Sequence, residues 1–202
     1  VRGAGITLGI GLNRRHAPSF VEMMSRIRAG AIGDVLHVEA AHSGPTGYGL
    51  TPDSWRSVRA EAPGGGMTAR GIHTLDAMIQ VAGLVKSVYA FSDNRKLPAG
   101  VDMDDTTSML VKFANGATGY LSTLFTTAEL YRVHVFGSKG WLELRGDTDL
   151  TFRGLQGAPE KITLTALDKE RAELEAFADA IEAKKLFLVP PEEASNGIAV
   201  LE

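Results

Sequence analysis

The second half of the chain alternates short apolar segments with tight turns, and this pattern limits the fold more than any other feature. Asn115-Gly116 separates two such segments, and Asn-Gly is the dipeptide that best suits a two-residue β-hairpin turn. Consecutive short strands joined by tight turns predict an antiparallel sheet. We expect its strands at 87–93, 106–114, 117–127, 131–136, 141–145, 150–153 and 161–165.

Other segments repeat apolar residues with helical spacing, and two more alternate as strands do. Helices are predicted at 19–28, 72–82 and 168–185, and Asp168 suits the N-cap of the last one. A strand is predicted at 34–43, and the apolar run Ile6 to Leu12 indicates a buried, parallel strand. The sequence therefore predicts an α+β fold: an open, largely antiparallel β-sheet with helices on one face.

Three glycines, Gly64-Gly65-Gly66, come shortly before the predicted central helix. Glycine permits positive φ and close approach, and the unpaired N–H groups of a first helical turn can hold an anionic group. His73 and Asp76 lie one turn apart on this helix, so they could exchange protons near neutral pH. The alternative is purely structural: a glycine run that lets the helix pack tightly on a sheet, and a histidine without chemistry.

Composition excludes several classes of function. Net charge is −3 and no basic cluster exceeds a pair, so we expect no nucleic-acid partner. No apolar run approaches the roughly 18 residues of a membrane span. Cysteine is absent, which removes thiol chemistry and is compatible with the cytoplasm, our expected location. His73 and Asp76 have no third ligand close in sequence, so no metal site is expected.

Several predicted strands are apolar on both faces. Met109, Val111 and Phe113 alternate with Leu110, for example. One face should contact helices of the chain, and the other would contact a second copy in a homodimer or homotetramer. Coverage of both faces within the chain is the alternative.

Four segments together resemble the C-terminal domain of the Gfo/Idh/MocA oxidoreductases. In order, they are Gly9 to Pro18, Gly30 to Val35, Gly64 to Asp76, and Phe136 to Gly140. The third segment resembles the active-site helix of that family, with its glycines and the Gly-x-His-x-x-Asp pattern. The likeness extends over nearly the whole chain.

The resemblance implies an NAD(P)-dependent oxidoreductase that acts on a hydroxyl group of a sugar, a cyclitol or a similar small molecule. It implies that residues 1–12 are the last strand of a missing Rossmann domain, which would bind NAD or NADP. Residues 13–202 would then be the substrate-binding and oligomerisation domain, truncated at its C-terminus, and this fragment alone would be inactive.

The resemblance also implies roles for single residues. His73 falls on the family's catalytic histidine, and Asp76 would orient it or the substrate. Further candidates are the substrate contacts Arg70, Tyr48 and Trp55, and the junction residues near the nicotinamide, Asn13, Arg14 and Arg15. For each, a structural role is an alternative; Arg15 could simply pair with an acidic residue. Ala69 replaces the family's frequent acid, which favours a second hypothesis, a non-catalytic binding or assembly module.

Overall fold

A single eight-stranded sheet organises the computed structural model, which describes residues 6–202. The strands are β1 (Val35–Ser43), β2 (Val85–Asp93), β3 (Thr106–Phe113), β4 (Thr118–Leu124), β5 (Leu130–Gly137), β6 (Gly140–Arg145), β7 (Asp149–Gly154) and β8 (Glu160–Thr163). Their order is β2-β3-β4-β1-β5-β6-β7-β8. Among the strands formed by residues 6–202, only β1 and β4 pair in parallel, which confirms the open, largely antiparallel sheet.

The hairpins form where the turn sequences predict them. Gly116 has a φ of +95°, which its lack of a side chain permits, and it connects β3 with β4. Gly137 and Gly140 pair directly across the turn between β5 and β6. Strand β1 lies between these two antiparallel blocks and joins them into one sheet.

In the part of the chain that the structure describes, four α-helices accompany the sheet: α1 (Pro18–Arg28), α2 (Ile72–Ala82), α3 (Lys169–Glu182) and α4 (Pro191–Leu201). Helix α1 packs on β6 and β7, and α2 packs across β1, β4 and β5. Helix α4 contacts α2 and β2, where the Asn196 side chain bonds both backbone groups of Val85 at 2.8 and 3.1 Å. The side chain of Asp168 caps α3 by accepting a hydrogen bond from the N–H of Arg171, as predicted.

The two faces of the sheet differ sharply. Residues of the inner face, including Val38, Leu121, Val133 and Leu144, form one core with α1 and α2. The outer face carries exposed apolar side chains on β2, β3 and β4, namely Tyr89, Phe91, Leu110 and Tyr120, and we call these four residues the outer patch. Helices therefore pack on one face, as the sequence predicts.

One predicted element is wrong. The segment 6–12 is not a strand, because none of its residues pairs with the sheet; instead Ile10 and Leu12 pack with Phe177 and Phe187. Helix α3 packs on the 13–16 turn rather than on the sheet, which leaves Leu174 and Ile181 exposed. A short 3₁₀ turn, Pro45–Gly49, follows β1. Residues 1–5 of the predicted remnant, 1–12, lie outside the described residues.

Two of the three glycines before α2 have positive φ, but for different reasons. Gly64 has a φ of +75°, and a Cβ there would meet nothing closer than 3.6 Å. Gly65 has a φ of +53°, and a Cβ there would lie 2.1 Å from the backbone oxygen of Asp104. Gly65 is therefore needed for close approach as well as for its backbone conformation.

Substitution of these two glycines should separate the two effects. We expect Gly64→Ala to lower the free energy of unfolding by about 1 kcal/mol, from positive φ alone. Gly65→Ala should cost more than about 3 kcal/mol, because the loop carrying Asp104 must also move. Urea denaturation of both variants checks this, and equal midpoints would contradict it.

Candidate functional site

The active-site candidate His73 lies in the first turn of α2, directly after a π-helical turn at Met67–Gly71. The wide turn passes close to β4, and a Cβ on Gly71 would lie 2.8 Å from Oγ1 of Thr123. His73 is partly buried, and its Nδ1 is buried with no hydrogen-bond partner among the described residues. Its Nε2 is not among the buried atoms that lack a partner. Such π-turns often occur at functional sites.

A second histidine that the sequence analysis did not single out lies next to His73. His42 ends the inner face of β1, and the centroids of the two imidazole rings are 6.1 Å apart. The ring of Tyr131, on β5, contacts His42 edge-on at 5.2 Å. Burial raises the pKa of Tyr131, so its hydroxyl stays protonated.

Cationic groups lie on the other side of His73. Arg14 lies over the ring of Tyr131 and donates to Asp147, and Lys169 pairs with the same carboxylate at 2.8 Å. Burial lowers the pKa of His73, and the charges of Arg14 and Lys169 lower it further. His73 is therefore a neutral imidazole near neutral pH, which suits a group that accepts a proton.

Asp76 bonds Arg15 and does not bond His73. The Arg15 guanidinium donates to both carboxylate oxygens of Asp76, at 2.5–3.2 Å, and both side chains are almost fully buried. The Arg15 guanidinium also donates to the carboxylate of Glu193 in α4 at 2.7 Å and to the backbone oxygen of Leu188. The sequence analysis expects Asp76 to orient His73 or the substrate; in the structure its carboxylate is bonded to Arg15.

The three predicted substrate contacts have different surroundings. Arg70 bonds Glu129 at 2.6 Å, the hydroxyl of Thr46 and a backbone oxygen. The hydroxyl of Tyr48 donates to the backbone oxygen of Thr126, although its ring is exposed. Trp55 is 58% exposed, and the guanidinium of Arg56 lies over its ring. Tyr48 and Trp55 therefore have similar exposed fractions, whereas Arg70 is held by its hydrogen bonds.

The backbone N–H groups around the glycine run are largely paired. Those of residues 65–68 all donate to backbone oxygens of the chain, so none of these four is free for a phosphate. Among the junction candidates, Arg15 is saturated by its partners, and Asn13 donates its side-chain amide to Glu170 at 2.7 Å.

Two cavities lie beside α4. One of about 520 Å³ is lined by Leu8, Ile72, Ile79 and residues of α4, with Asp76 and Glu193 at its wall. The other, of about 1090 Å³, is lined by the 6–8 segment and by residues 181–192. His73 lines neither of them.

Two kinds of feature are missing from the part of the chain that the structure describes. Within residues 6–202, no cluster of three His, Cys, Asp or Glu side chains could hold a metal ion. None of the helices in this range combines the length and apolar character that crossing a bilayer requires.

Sequence reasoning missed His42, Tyr131, Asp147 and Lys169. The alternation of β1 does place His42 on the same face as Val38 and Ala40. A polar residue that ends an otherwise apolar inner face was the available signal. The other three come from distant segments, and no local pattern connects them with His73.

Comparison with solved structures shows the same architecture in oxidoreductases. A candidate NADPH-dependent oxidoreductase from Desulfitobacterium hafniense superposes with a TM-score of 0.90 at 24% identity, over 99% of this chain and 62% of that one. Aldose-aldose oxidoreductase from Caulobacter crescentus, complexed with glycerol, gives 0.84 at 24%, over 99% and 61%. Levoglucosan dehydrogenase, in complex with NADH and levoglucosan, gives 0.86 at 19%, over 100% and 63%. The chain thus spans under two thirds of these proteins.

The fold is that of an oxidoreductase C-terminal domain. The chain belongs to the GFO/IDH/MocA C-terminal domain family, whose model matches residues 20–143. This confirms the resemblance read from the sequence. No curated protein sequence matches the chain.

The buried His42 should make folding stability depend on pH. Burial lowers its pKa from 6.5 to about 4. Below about pH 6.5 His42 is protonated in the unfolded chain, whereas in the folded protein it stays neutral until about pH 4. The free energy of unfolding therefore falls as the pH is lowered from about 6.5 to about 4. The loss attributable to His42 should reach up to about 3 kcal/mol.

Urea unfolding between pH 7 and pH 4.5 measures this effect. The free energy of unfolding of His42→Phe should fall less steeply than that of the wild type. Carboxylates contribute alike to both proteins, so parallel curves would contradict the assignment.

Proposed function

We propose that this domain binds the substrate and supplies the acid/base histidine of an NAD(P)-dependent oxidoreductase. The reaction would take place at a hydroxyl group of a sugar, a cyclitol or a similar small molecule. Family membership supports the oxidoreductase class. The substrate class is supported by the names of aldose-aldose oxidoreductase and levoglucosan dehydrogenase, which share the fold.

The observation that carries the proposal is the neutral imidazole of His73 in the first turn of α2, directly after the π-helical turn. In the oxidative direction Nε2 accepts the proton of the substrate hydroxyl, and in the reductive direction it returns a proton to the carbonyl oxygen. Trp55, Tyr48 and Arg70 would contact the substrate from the 3₁₀ turns and the π-turn.

NAD or NADP, when bound, supplies hydride acceptance and donation. A nucleotide-binding domain outside this sequence would hold it; the chain spans under two thirds of the oxidoreductases that share its fold. Arg14, which lies close to His73, would contact the nicotinamide end of the cofactor or the substrate. We therefore expect residues 1–202 alone to have no turnover.

The proposal predicts that His73 is essential in the whole protein that carries this domain. His73→Ala should lower kcat by about a hundredfold or more, since a positioned acid/base group contributes roughly that much. Oxidation of sugars, cyclitols and related hydroxyl compounds with NAD and NADP measures the effect. His37→Ala, on the outer side of β1, is the matched control. An undiminished kcat for His73→Ala would remove the catalytic assignment.

A non-catalytic binding or assembly module is the second candidate. Two observations favour it: Ala69 provides no acid, and Asp76 is occupied by Arg15. Calorimetry of the whole protein with NADH and NADPH separates the two functions. A dehydrogenase binds one of these cofactors, whereas an assembly module need bind neither.

We further propose that the outer patch is the contact between copies of the chain, in a homodimer or homotetramer. Tyr89, Phe91 and Leu110 are 57–69% exposed, and Tyr89 packs edge-on against Phe91 at 5.1 Å. Large apolar side chains that lie together on one exposed face are typical of subunit interfaces.

This assembly can be tested by placing a charge in the outer patch. Leu110→Lys in the whole protein should shift the species seen by analytical ultracentrifugation toward monomer, because the lysine would be buried without a partner. Leu155→Lys is the control, since Leu155 is 76% exposed but lies in the turn between β7 and β8. Monomeric wild-type protein, or an unchanged oligomer in Leu110→Lys, would contradict the proposal.

A further inference from the structure

The imidazole of His73 has one nitrogen that no protein group satisfies. Its Nδ1 is buried and has no hydrogen-bond partner among the described residues. The helix offers no acceptor one turn earlier, because position 69 is an alanine whose side chain is exposed. Buried polar atoms are nearly always hydrogen-bonded, and those without a protein partner usually bond an ordered water molecule.

A hydrogen bond with the backbone determines the tautomer of His42. Its Nδ1 lies 2.8 Å from the backbone oxygen of Arg70. A carbonyl oxygen only accepts hydrogen bonds, so Nδ1 of His42 carries the proton. The other nitrogen, Nε2, then presents a lone pair.

Burial and the neighbouring cations keep Nε2 of His42 unprotonated. Burial is the largest cause that lowers the pKa of His42 to about 4, and the cations Arg14 and Arg70 and the neighbouring His73 act in the same direction. Glu129 is the acidic group nearest to Nε2, at 4.0 Å, and it is already bonded to Arg70. Near neutral pH, Nε2 of His42 is therefore an acceptor.

We propose that one water molecule joins the two histidines and that His42 is a positioning residue for His73. The water accepts a hydrogen bond from Nδ1–H of His73 and donates one to Nε2 of His42. Its second proton is directed toward the Glu129 carboxylate, which gives it three partners, the usual number for a buried water. The two imidazole rings are neighbours, with their centroids 6.1 Å apart.

This arrangement determines which nitrogen of His73 keeps a lone pair. With the proton held on Nδ1, Nε2 is the proton acceptor. The hydrogen bond between His42 and the Arg70 backbone oxygen, relayed by the water, thus selects the tautomer of His73 that a general base requires. The catalytic consequence rests on the proposed function, whereas the tautomer itself does not.

The tautomer can be observed directly by NMR of the whole protein labelled with ¹⁵N-histidine. The signals of His73 are assigned by their loss in His73→Asn. We expect an Nδ1–H, unprotonated Nε2 pattern at pH 7 in the wild type. A predominant Nε2–H pattern in the wild type would overturn the proposal without requiring any variant to fold.

Two variants test the role of His42. In His42→Phe the ring volume is kept and the acceptor is lost, so the His73 signals should shift toward the Nε2–H tautomer. In His42→Gln the side-chain oxygen can accept from the same water, so the Nδ1–H pattern should be restored. His37→Phe, a histidine on the opposite face of the same strand, should leave the His73 signals unchanged. Unchanged His73 signals in His42→Phe would overturn the proposal.

Kinetics then separates this inference from the proposed function. In the whole enzyme, His42→Phe should lower kcat about tenfold with little change in KM, and His42→Gln should recover most of it. If His73→Ala keeps full activity while the tautomer responds to His42, the catalytic role fails and the positioning holds. If His73→Ala is inactive while the tautomer ignores His42, the positioning fails and the catalytic role holds.

Discussion

The buried pair of Arg15 and Asp76 is the interaction on which the arrangement of the site depends. A guanidinium removed from water must be paired, and loss of one partner from such a pair typically costs about 3–5 kcal/mol. Arg15 meets this requirement with Asp76 of α2, Glu193 of α4 and a backbone oxygen between α3 and α4. Three segments far apart in sequence are thereby held at one point. His73 lies one turn before Asp76 and Arg14 directly precedes Arg15, so the same pair places both beside each other.

The site is therefore built of charges that neutralise one another, with neutral groups between them. Arg14 and Lys169 share Asp147, and Arg70 is paired with Glu129. Between these pairs lie His73, His42 and the hydroxyl of Tyr131, which stay uncharged because burial favours the neutral form of each. A neutral imidazole among compensated charges suits the handling of a proton on an uncharged hydroxyl compound, in line with the function proposed here.

Much of the fold can be read from local sequence because local chemistry determines it. Asn115-Gly116 specifies its hairpin, and Asp168 specifies the start of α3. The prediction of a strand at 6–12 is wrong because apolar character indicates burial without specifying the neighbouring element. Leu12 is buried by α3 and the residues that follow it, rather than by a strand. Arg15 and Asp76 illustrate the limit for the site. Each is an ordinary charged residue in sequence, and 61 positions separate them, so only the fold decides that they pair.

The central parallel pair of strands has a consequence for how the molecule reaches this structure. The blocks β2–β4 and β5–β8 consist of neighbours along the chain, and their hairpins close short loops. Strand β1 instead pairs His37 with Thr118 and Val38 with Val135, contacts that close loops of roughly eighty to a hundred residues. Because non-local contacts slow folding, the joining of the two blocks by β1 would be the late, rate-limiting event. Each block would by then be a separate meander with an open edge, and that interval is when the chain is most exposed to pairing with the wrong strand.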